Sequence, residues 1–264
     1  MKTKQILVRY SRILILVLLM ICMSAASPNF LKATNLINVA RQSSMLLIMS
    51  LGMTCAMLLG RGVDMSIGAT LSISSCIAAG FMRSNDSPGS VFLGILIAIL
   101  IGMLIGVING TLVAYLHLPA ILVTYGVREI IRSLAYYYMD GDVVTGFHSI
   151  VNFMGSGYVF GVIPTQIIIA LALTFIMAWM LKHTVLGREL YVVGSNPNAA
   201  RFSGIRVERS VVMGFVLSGA LAALAGIVYL GRLGAAEAEI GTDFHFQCVS
   251  AVAIGGISFA GGAG

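Results

Sequence analysis

The chain has 264 residues, 58% of them hydrophobic and only 10% charged, with a mean hydropathy of +0.98. Soluble domains carry about 25% charged residues, so a soluble globular protein is excluded and an all-α polytopic membrane protein is expected. The net charge of +6 does not point to nucleic acid, because most basic residues stand at the ends of apolar runs, where retention on the cytoplasmic side accounts for them.

Lys2, Lys4, Arg9 and Arg12 precede the apolar run Ile13 to Met23, and Ser24-Ala25-Ala26 follows. That layout fits a cleavable signal peptide. It equally fits a retained first helix whose charges hold the N-terminus inside, and the later apolar segments point to insertion into the inner membrane rather than secretion. Pro28 ends this first span. A second apolar run, Ser43 to Gly60, leads into Gly60-Arg61-Gly62-Val63-Asp64-Met65-Ser66-Ile67-Gly68. Three glycines relax the helix there, and Asp64 or Ser66 can cap the next span, Ile67 to Met82, by accepting from its free N–H groups. Two readings stand: a capped turn between two helices, or a helix break that lets backbone groups line a cavity.

Arg83 to Ser90 is a loop by its turn residues. Val91 to Leu116 is long enough to cross a ~30 Å apolar core with tilt. Along it Gly94, Ala98, Gly102, Gly106, Gly110 and Ala114 recur every fourth residue, a ladder that lets another helix approach closely. Val211 to Leu230 repeats the device with Gly214, Ser218, Ala222 and Gly226, so two tightly packed helices are expected. Pro119 opens the fifth span, Ala120 to Tyr138, which contains Arg128, Glu129 and Arg132. Glu129 can reach Arg132 at i, i+3. Charges at the centre of a span cost at least ~2.5 kcal/mol each, so these face protein or water, as a structural ion pair, an interfacial helix or a solvated path.

Met139 to Ile163 carries Asp140 and Asp142 but no lysine or arginine, which places it outside, and Thr165 to Leu181 returns inward. The longest polar interruption follows, Lys182 to Ser210, with Lys182, Arg188, Arg201, Arg206 and Arg209 against Glu189 and Glu208. Such a loop belongs on the cytoplasmic side. Within it Asn196 is a good N-cap, Pro197 suits the first helical position, and Gly204 can close the helix in a left-handed conformation. A helix of about two turns is predicted. One so short needs something to lie against, either anionic headgroups or a cytoplasmic partner.

Gly231 to Phe246 is expected outside again, and an eighth apolar segment begins near Cys248. Its ending, Gly256-Ile257-Ser258-Phe259-Ala260-Gly261-Gly262-Ala263, is weakly similar to Gly62-Val63-Asp64-Met65-Ser66-Ile67-Gly68-Ala69, and internal similarity of this kind is common in transporters. Cys22, Cys55, Cys76 and Cys248 form no CxxC pair, and His117, His148, His183 and His245 no i, i+4 pair. Neither a disulfide framework nor a metal site is indicated.

Gly52-Met53-Thr54 with Gly62 to Gly68, Leu186-Gly187-Arg188 through Gly194-Ser195-Asn196-Pro197-Asn198-Ala199-Ala200-Arg201-Phe202-Ser203-Gly204-Ile205, Ser218 to Gly226, and Ala251-Val252-Ala253-Ile254-Gly255-Gly256 together resemble the permeases of ribose-type ABC sugar importers, over essentially the whole chain. The resemblance implies a single membrane permease domain over residues 1–264, a multi-helix bundle of about eight spans with the last incomplete, in the bacterial inner membrane. It implies import of a monosaccharide or similar small polar solute, with a branched-chain amino acid or nucleoside permease as the variant. The implied partners are a cytoplasmic ABC ATPase, a second permease subunit as homo- or heterodimer, and a periplasmic solute-binding protein. No G-x-x-x-x-G-K-[ST] cradle is present, in keeping with a borrowed ATPase, and neither a catalytic residue nor a cofactor is expected. Carried over, residues 182–210 would be the coupling loop, with Gly187, Arg188, Asn196, Pro197, Ala199, Ala200, Arg201 and Gly204 meeting the ATPase. Asp64, Ser66, Thr124 and Arg132 would border the translocation path. Arg132 matches a usual arginine of the family, whereas Arg128 and Glu129 replace apolar residues, and His245 and Gln247 replace acidic ones. The family's last one or two helices have no counterpart after Gly264, so a truncated, non-transporting permease fragment is the alternative expectation. A secondary transporter using Arg128, Glu129 and Arg132 as an ion relay is a further rival, with only Glu129 as a carboxyl deep in a span.

Overall fold

The computed structural model describes residues 2–84 and 87–264, with side chains for 14–83 and from 87 onward. The side chains of Lys2, Lys4, Arg9 and Arg12 and part of the Arg83 to Ser90 loop therefore lie outside the described residues. Two compact units are present, Met1–Ser43 and Ser44–Gly264.

In the first unit, helix α1 (Lys2–Ala26) stops just before Pro28, and Asn35 Nδ2 donates to the Phe30 carbonyl at 2.8 Å in the turn that follows. Helix α2 (Ala33–Leu58) starts in this unit and continues into the second. It begins ten residues before the expected Ser43, because Leu36, Ile37, Val39 and Ala40 extend the apolar pattern and no glycine or proline interrupts it. Polar residues alone do not end a helix.

The second unit continues with α3 (Ile67–Ser84), α4 (Pro88–Tyr115), α5 (Ala120–Met139), strand β1 (Val144–Thr145), α6 (Ser149–Ser156), β2 (Tyr158–Val159), β3 (Ile163–Pro164), α7 (Thr165–His183), α8 (Val185–Ser195), α9 (Pro197–Phe202), α10 (Val207–Leu233), β4 (Ala235–Ala236) and α11 (Phe244–Gly255). By length and composition α2, α4, α7 and α10 are able to cross a membrane, which agrees with an all-α polytopic protein. Ser87 starts α4 with a reciprocal capping box to Ser90.

Helix α10 sits at the centre and packs most extensively on α4. The α4 ladder is what allows this: a Cβ on Gly102 would stand 2.8 Å from Ala223 Cβ, one on Gly106 2.6 Å from Val216 Cα, and one on Gly110 2.6 Å from Val212 Cα. Any larger residue would force the backbones apart. The two ladders do not meet each other. The α10 ladder looks the other way: Gly52 on α2 lies 3.0 Å, by the same measure, from Ser218 Cα, Gly214 abuts Leu59 just past the end of α2, and Gly226 abuts the Leu71 carbonyl of α3. Apolar cores form on both sides, one around Met49, Met53, Phe215 and Leu190 and one around Cys76, Met82, Ala98 and Ile227.

The 139–164 segment, expected only as a loop, holds α6 and three of the short strands. Strand β1 pairs antiparallel with β4, Val144 opposite Ala236 and Thr145 opposite Ala235, and the Ser156 hydroxyl donates to the Gly231 carbonyl at 3.0 Å. These two segments thus share one end of the bundle, while α7 and α10 carry the 184–206 segment to the other. Beyond β4 the chain runs back along α3, with Ser72 Oγ donating to the Ala238 carbonyl at 2.8 Å, before entering the twelve-residue α11.

Candidate functional site

Three places gather the residues singled out by sequence. The first is the pair α8 and α9. Thr184 caps α8, its hydroxyl accepting from Gly187 N–H at 3.1 Å, and Gly187 is buried against the Met180 and Leu181 backbone. This glycine turns the chain tightly out of α7, so its part in the loop is to shape it, not to present a surface. Arg188 is exposed on α8, and Glu189 accepts from the Ser210 hydroxyl at 2.9 Å, tying α8 to the foot of α10. Asn196 then caps α9 as predicted: its Oδ1 accepts from the N–H groups of Asn198 and Ala199, both at 3.0 Å. Pro197 is the first helical residue. Gly204 has φ +81°, and the bonds Gly204 N–H to Arg201 carbonyl and Ile205 N–H to Ala200 carbonyl, both 3.0 Å, make a complete Schellman stop. Only Ala200 is turned into the core. Asn198, Ala199, Arg201 and Phe202 face out, Phe202 being 94% exposed, and Arg201 pairs with Glu208. The result is a pre-formed, capped helix offering one aromatic and several polar side chains to whatever lies beneath it.

The second place is the break between α2 and α3. Gly60 and Gly62 have φ +64° and +126°, so both turns require glycine. Asp64 is fully buried, yet its carboxyl is satisfied: Oδ1 accepts from Ser66 N–H at 3.0 Å and Ser66 Oγ at 2.6 Å, and Oδ2 from Ser218 Oγ at 2.7 Å. Asn109 of α4 donates to Ser66 Oγ at 2.8 Å. Thr124 of α5 accepts from Met65 N–H at 2.9 Å and donates to the Ala120 carbonyl at 2.8 Å. Three helices, α4, α5 and α10, are thus hydrogen-bonded to one turn, which compensates the cost of burying its polar groups. Asp64, Ser66 and Thr124 come together as the sequence reading grouped them, in a closed joint. Ser218 and Asn109 were missed: Ser218 read only as a small ladder residue, and the available signal for Asn109 was an amide in an otherwise apolar span.

The chain repeats this turn. After α11, Ser258 Oγ accepts from Ala260 N–H at 3.1 Å, the same bond, between the same aligned positions, that Asp64 makes to Ser66 N–H.

The third place holds Arg132, which is not part of the joint. It pairs with Glu239 at 3.7 Å, and Tyr136 also donates to Glu239. The Glu129–Arg132 pair that the spacing allowed is not formed; Glu129 is 3.7 Å from Arg128, whose Nη2 donates to the Thr242 carbonyl at 3.2 Å. The segment running back along α3 instead brings Glu239 within 3.7 Å of Arg132 and the Thr242 carbonyl within 3.2 Å of Arg128. Among the described residues no cluster of three or more His, Cys, Asp or Glu is arranged to hold a metal ion.

Residues 35–263 match the family model described as branched-chain amino acid transport system / permease component. Among curated relatives, the ribose import permease protein RbsC of Bacillus subtilis is 38% identical over 253 residues, covering 94% of this chain and 76% of that protein. The D-allose transport system permease protein AlsC of Escherichia coli is 35% identical over 260 residues, covering 97% and 78%. The galactose/methyl galactoside import permease protein MglC of Escherichia coli is 32% identical over 268 residues, covering 95% and 79%. No solved structure matches significantly. This extent of similarity identifies the chain, whose helical bundle carries the capped α9 and the buried turn at Asp64, as a member of the branched-chain amino acid transport system / permease component family, a membrane-spanning permease subunit and not an enzyme.

Proposed function

We propose that this chain is the permease of an ABC importer for a monosaccharide, that α8 and α9 dock a cytoplasmic ATPase, and that the bundle alternates access around the joint at Asp64. The observation that carries the reading is α9 itself. A helix of six residues is marginal alone. Here it is capped at both ends, fixed through Ala200, and leaves Asn198, Ala199, Arg201 and Phe202 exposed. That geometry suits insertion into a groove on a partner protein. Gly187, Arg188, Asn196, Pro197, Ala199, Ala200, Arg201 and Gly204 divide accordingly: Gly187, Asn196, Pro197, Ala200 and Gly204 build the docking element, and Arg188, Ala199 and Arg201 face the ATPase.

The proposed orientation puts 182–210 and the N-terminus inside and 139–163 outside, in the bacterial inner membrane, with α1, α3, α5 and α11 adding to α2, α4, α7 and α10 to make eight spans, the last short, in one permease domain. A periplasmic binding protein delivers solute to the outer end, and a second permease subunit completes the pathway. Asp64, Ser66 and Thr124 border the path when the joint opens, and Arg132 with Glu239 stands on the outer side of it. The named relatives import ribose, allose and galactose, which favours a monosaccharide over a branched-chain amino acid. The ion-relay rival draws no support from Glu129, which pairs with its neighbour Arg128.

Uptake of labelled ribose, allose, galactose and leucine, with and without this gene, tests the assignment. Loss of one monosaccharide, restored by the gene in trans, is expected; loss of leucine alone refutes it.

A further inference from the structure

The end of α8, the end of α2 and the stretch after α11 meet at one point, main chain against main chain. Gly262 N–H donates to the Leu58 carbonyl at 2.9 Å. The Ser195 hydroxyl lies 3.2 Å from the Gly262 carbonyl and 2.9 Å from the Tyr191 carbonyl, shared between them. A Cβ on Gly194 would overlap the Leu58 carbonyl and stand 2.6 Å from the Gly262 nitrogen; one on Gly60 would stand 2.6 Å from the Ala260 carbonyl oxygen and 3.2 Å from that of Gly194. For both glycines the three nearest atoms are main-chain atoms. A side chain absorbs a small shift by changing rotamer, whereas touching backbones cannot.

The two segments gripped here are the two similar glycine-rich stretches, each with the same side-chain-to-backbone turn after its helix. Gly60, Gly261 and Gly262 have φ +64°, +82° and +69°, so both stretches hold glycines where a hinge needs them. On the other side of the contact, Ser195 leads directly into Asn196, the cap of α9. We propose that Gly194 and Ser195 are positioning residues for transport: they are the junction at which a displacement of α9 passes simultaneously to both glycine-rich breaks. The proposal rests on α9 being the ATPase-docking helix.

The test uses the complex purified with its ATPase. Gly194→Ala is expected to keep the ATPase bound while the uptake rate and the transport-linked stimulation of ATP hydrolysis fall by at least about fivefold, within the usual span of coupling between sites. Should that variant fail to accumulate, Ser195→Cys with Cys22→Ser decides. It folds and assembles first and is then modified with a maleimide, so the same sample is read before and after. Uncoupling on modification, with the ATPase retained, is expected. Full coupling in Gly194→Ala or after modification overturns the junction. Release of the ATPase on modification also overturns it, since Ser195 then belongs to the docking surface. Ala200→Pro is run beside them: if it keeps both ATPase and uptake, the docking reading of α9 fails, and if it uncouples while the junction variants do not, the junction alone fails.

Discussion

Replacing Asn196 by alanine removes one oxygen that accepts two N–H groups, those of Asn198 and Ala199, each at 3.0 Å. The site is exposed, so water replaces part of what is lost, and the cost is that of an N-cap, about 1 kcal/mol within a range of roughly 0.5–2. Helix α9 has six residues and Ala200 as its buried anchor, so little else offsets that loss. At about 1.4 kcal/mol per factor of ten, the central figure of about 1 kcal/mol lowers the population of formed α9 about fivefold, and the apparent affinity for the ATPase falls by the same factor. Asn196→Asp keeps the acceptor and adds a charge that a helix N-terminus favours, so it should bind as the wild type does. Titration of the detergent-solubilised permease with its ATPase, read as co-purification or stimulated hydrolysis, measures both variants. Equal affinity of Asn196→Ala and wild type would show that α9 need not be formed for docking and would refute the reasoning.

Gly106→Ala places a Cβ 2.6 Å from Val216 Cα and should lower stability in detergent by about 1–3 kcal/mol, while Gly126→Ala, with open space around it, should be neutral or slightly stabilising; thermal melting in detergent separates them. Asp64→Ala strands the Ser66 and Ser218 donors in a buried site, at about 1–3 kcal/mol, and a double-mutant cycle with Ser218→Ala should show strongly non-additive losses. Additive losses would remove Ser218 from the network. For the half-exposed Arg132–Glu239 pair, breaking the contact should cost no more than about 1 kcal/mol, and exchanging the two charges should restore outer-end function in an uptake assay. Asp142→Cys should react with an impermeant maleimide in intact cells and Asn198→Cys only after permeabilisation, and the opposite pattern inverts the topology.

Local signals in the sequence were read well where one residue type has one physical use. Asn196, Pro197 and Gly204 fixed the start and stop of α9, and Pro119 the start of α5, because caps and proline act within one turn. The glycine ladders announced close packing, but periodicity names a face and not its partner, so it did not show that the α4 ladder meets Val212, Val216 and Ala223 while the α10 ladder meets α2 and α3. Asp64 and Ser66 were visible as a cap because they neighbour the helix they start. Ser218, more than a hundred residues away, was not. Likewise the one partner that sequence offered Arg132 was Glu129, within reach at i, i+3, while its partner in space is Glu239. Leu186 to Ser195 was visible only as a motif, and neither helix α8 nor the contact at Gly194 could be read from it, since contact between backbones depends on where three distant segments arrive.

A face without side chains has no teeth. Where α4 and α10 cross at Gly102, Gly106 and Gly110, the α4 side offers no side chain and meets the backbone of Val212, Phe215, Val216 and Gly219 directly, so no rotamer on the α4 side locks this contact. Dispersion holds such a contact shut at close range, yet the barrier to movement along it stays low because nothing interdigitates. Helix α10 starts beside the α8–α9 loop and ends at the β1–β4 pairing, so this side-chain-free contact with α4 lies on a helix that joins the two ends of the bundle.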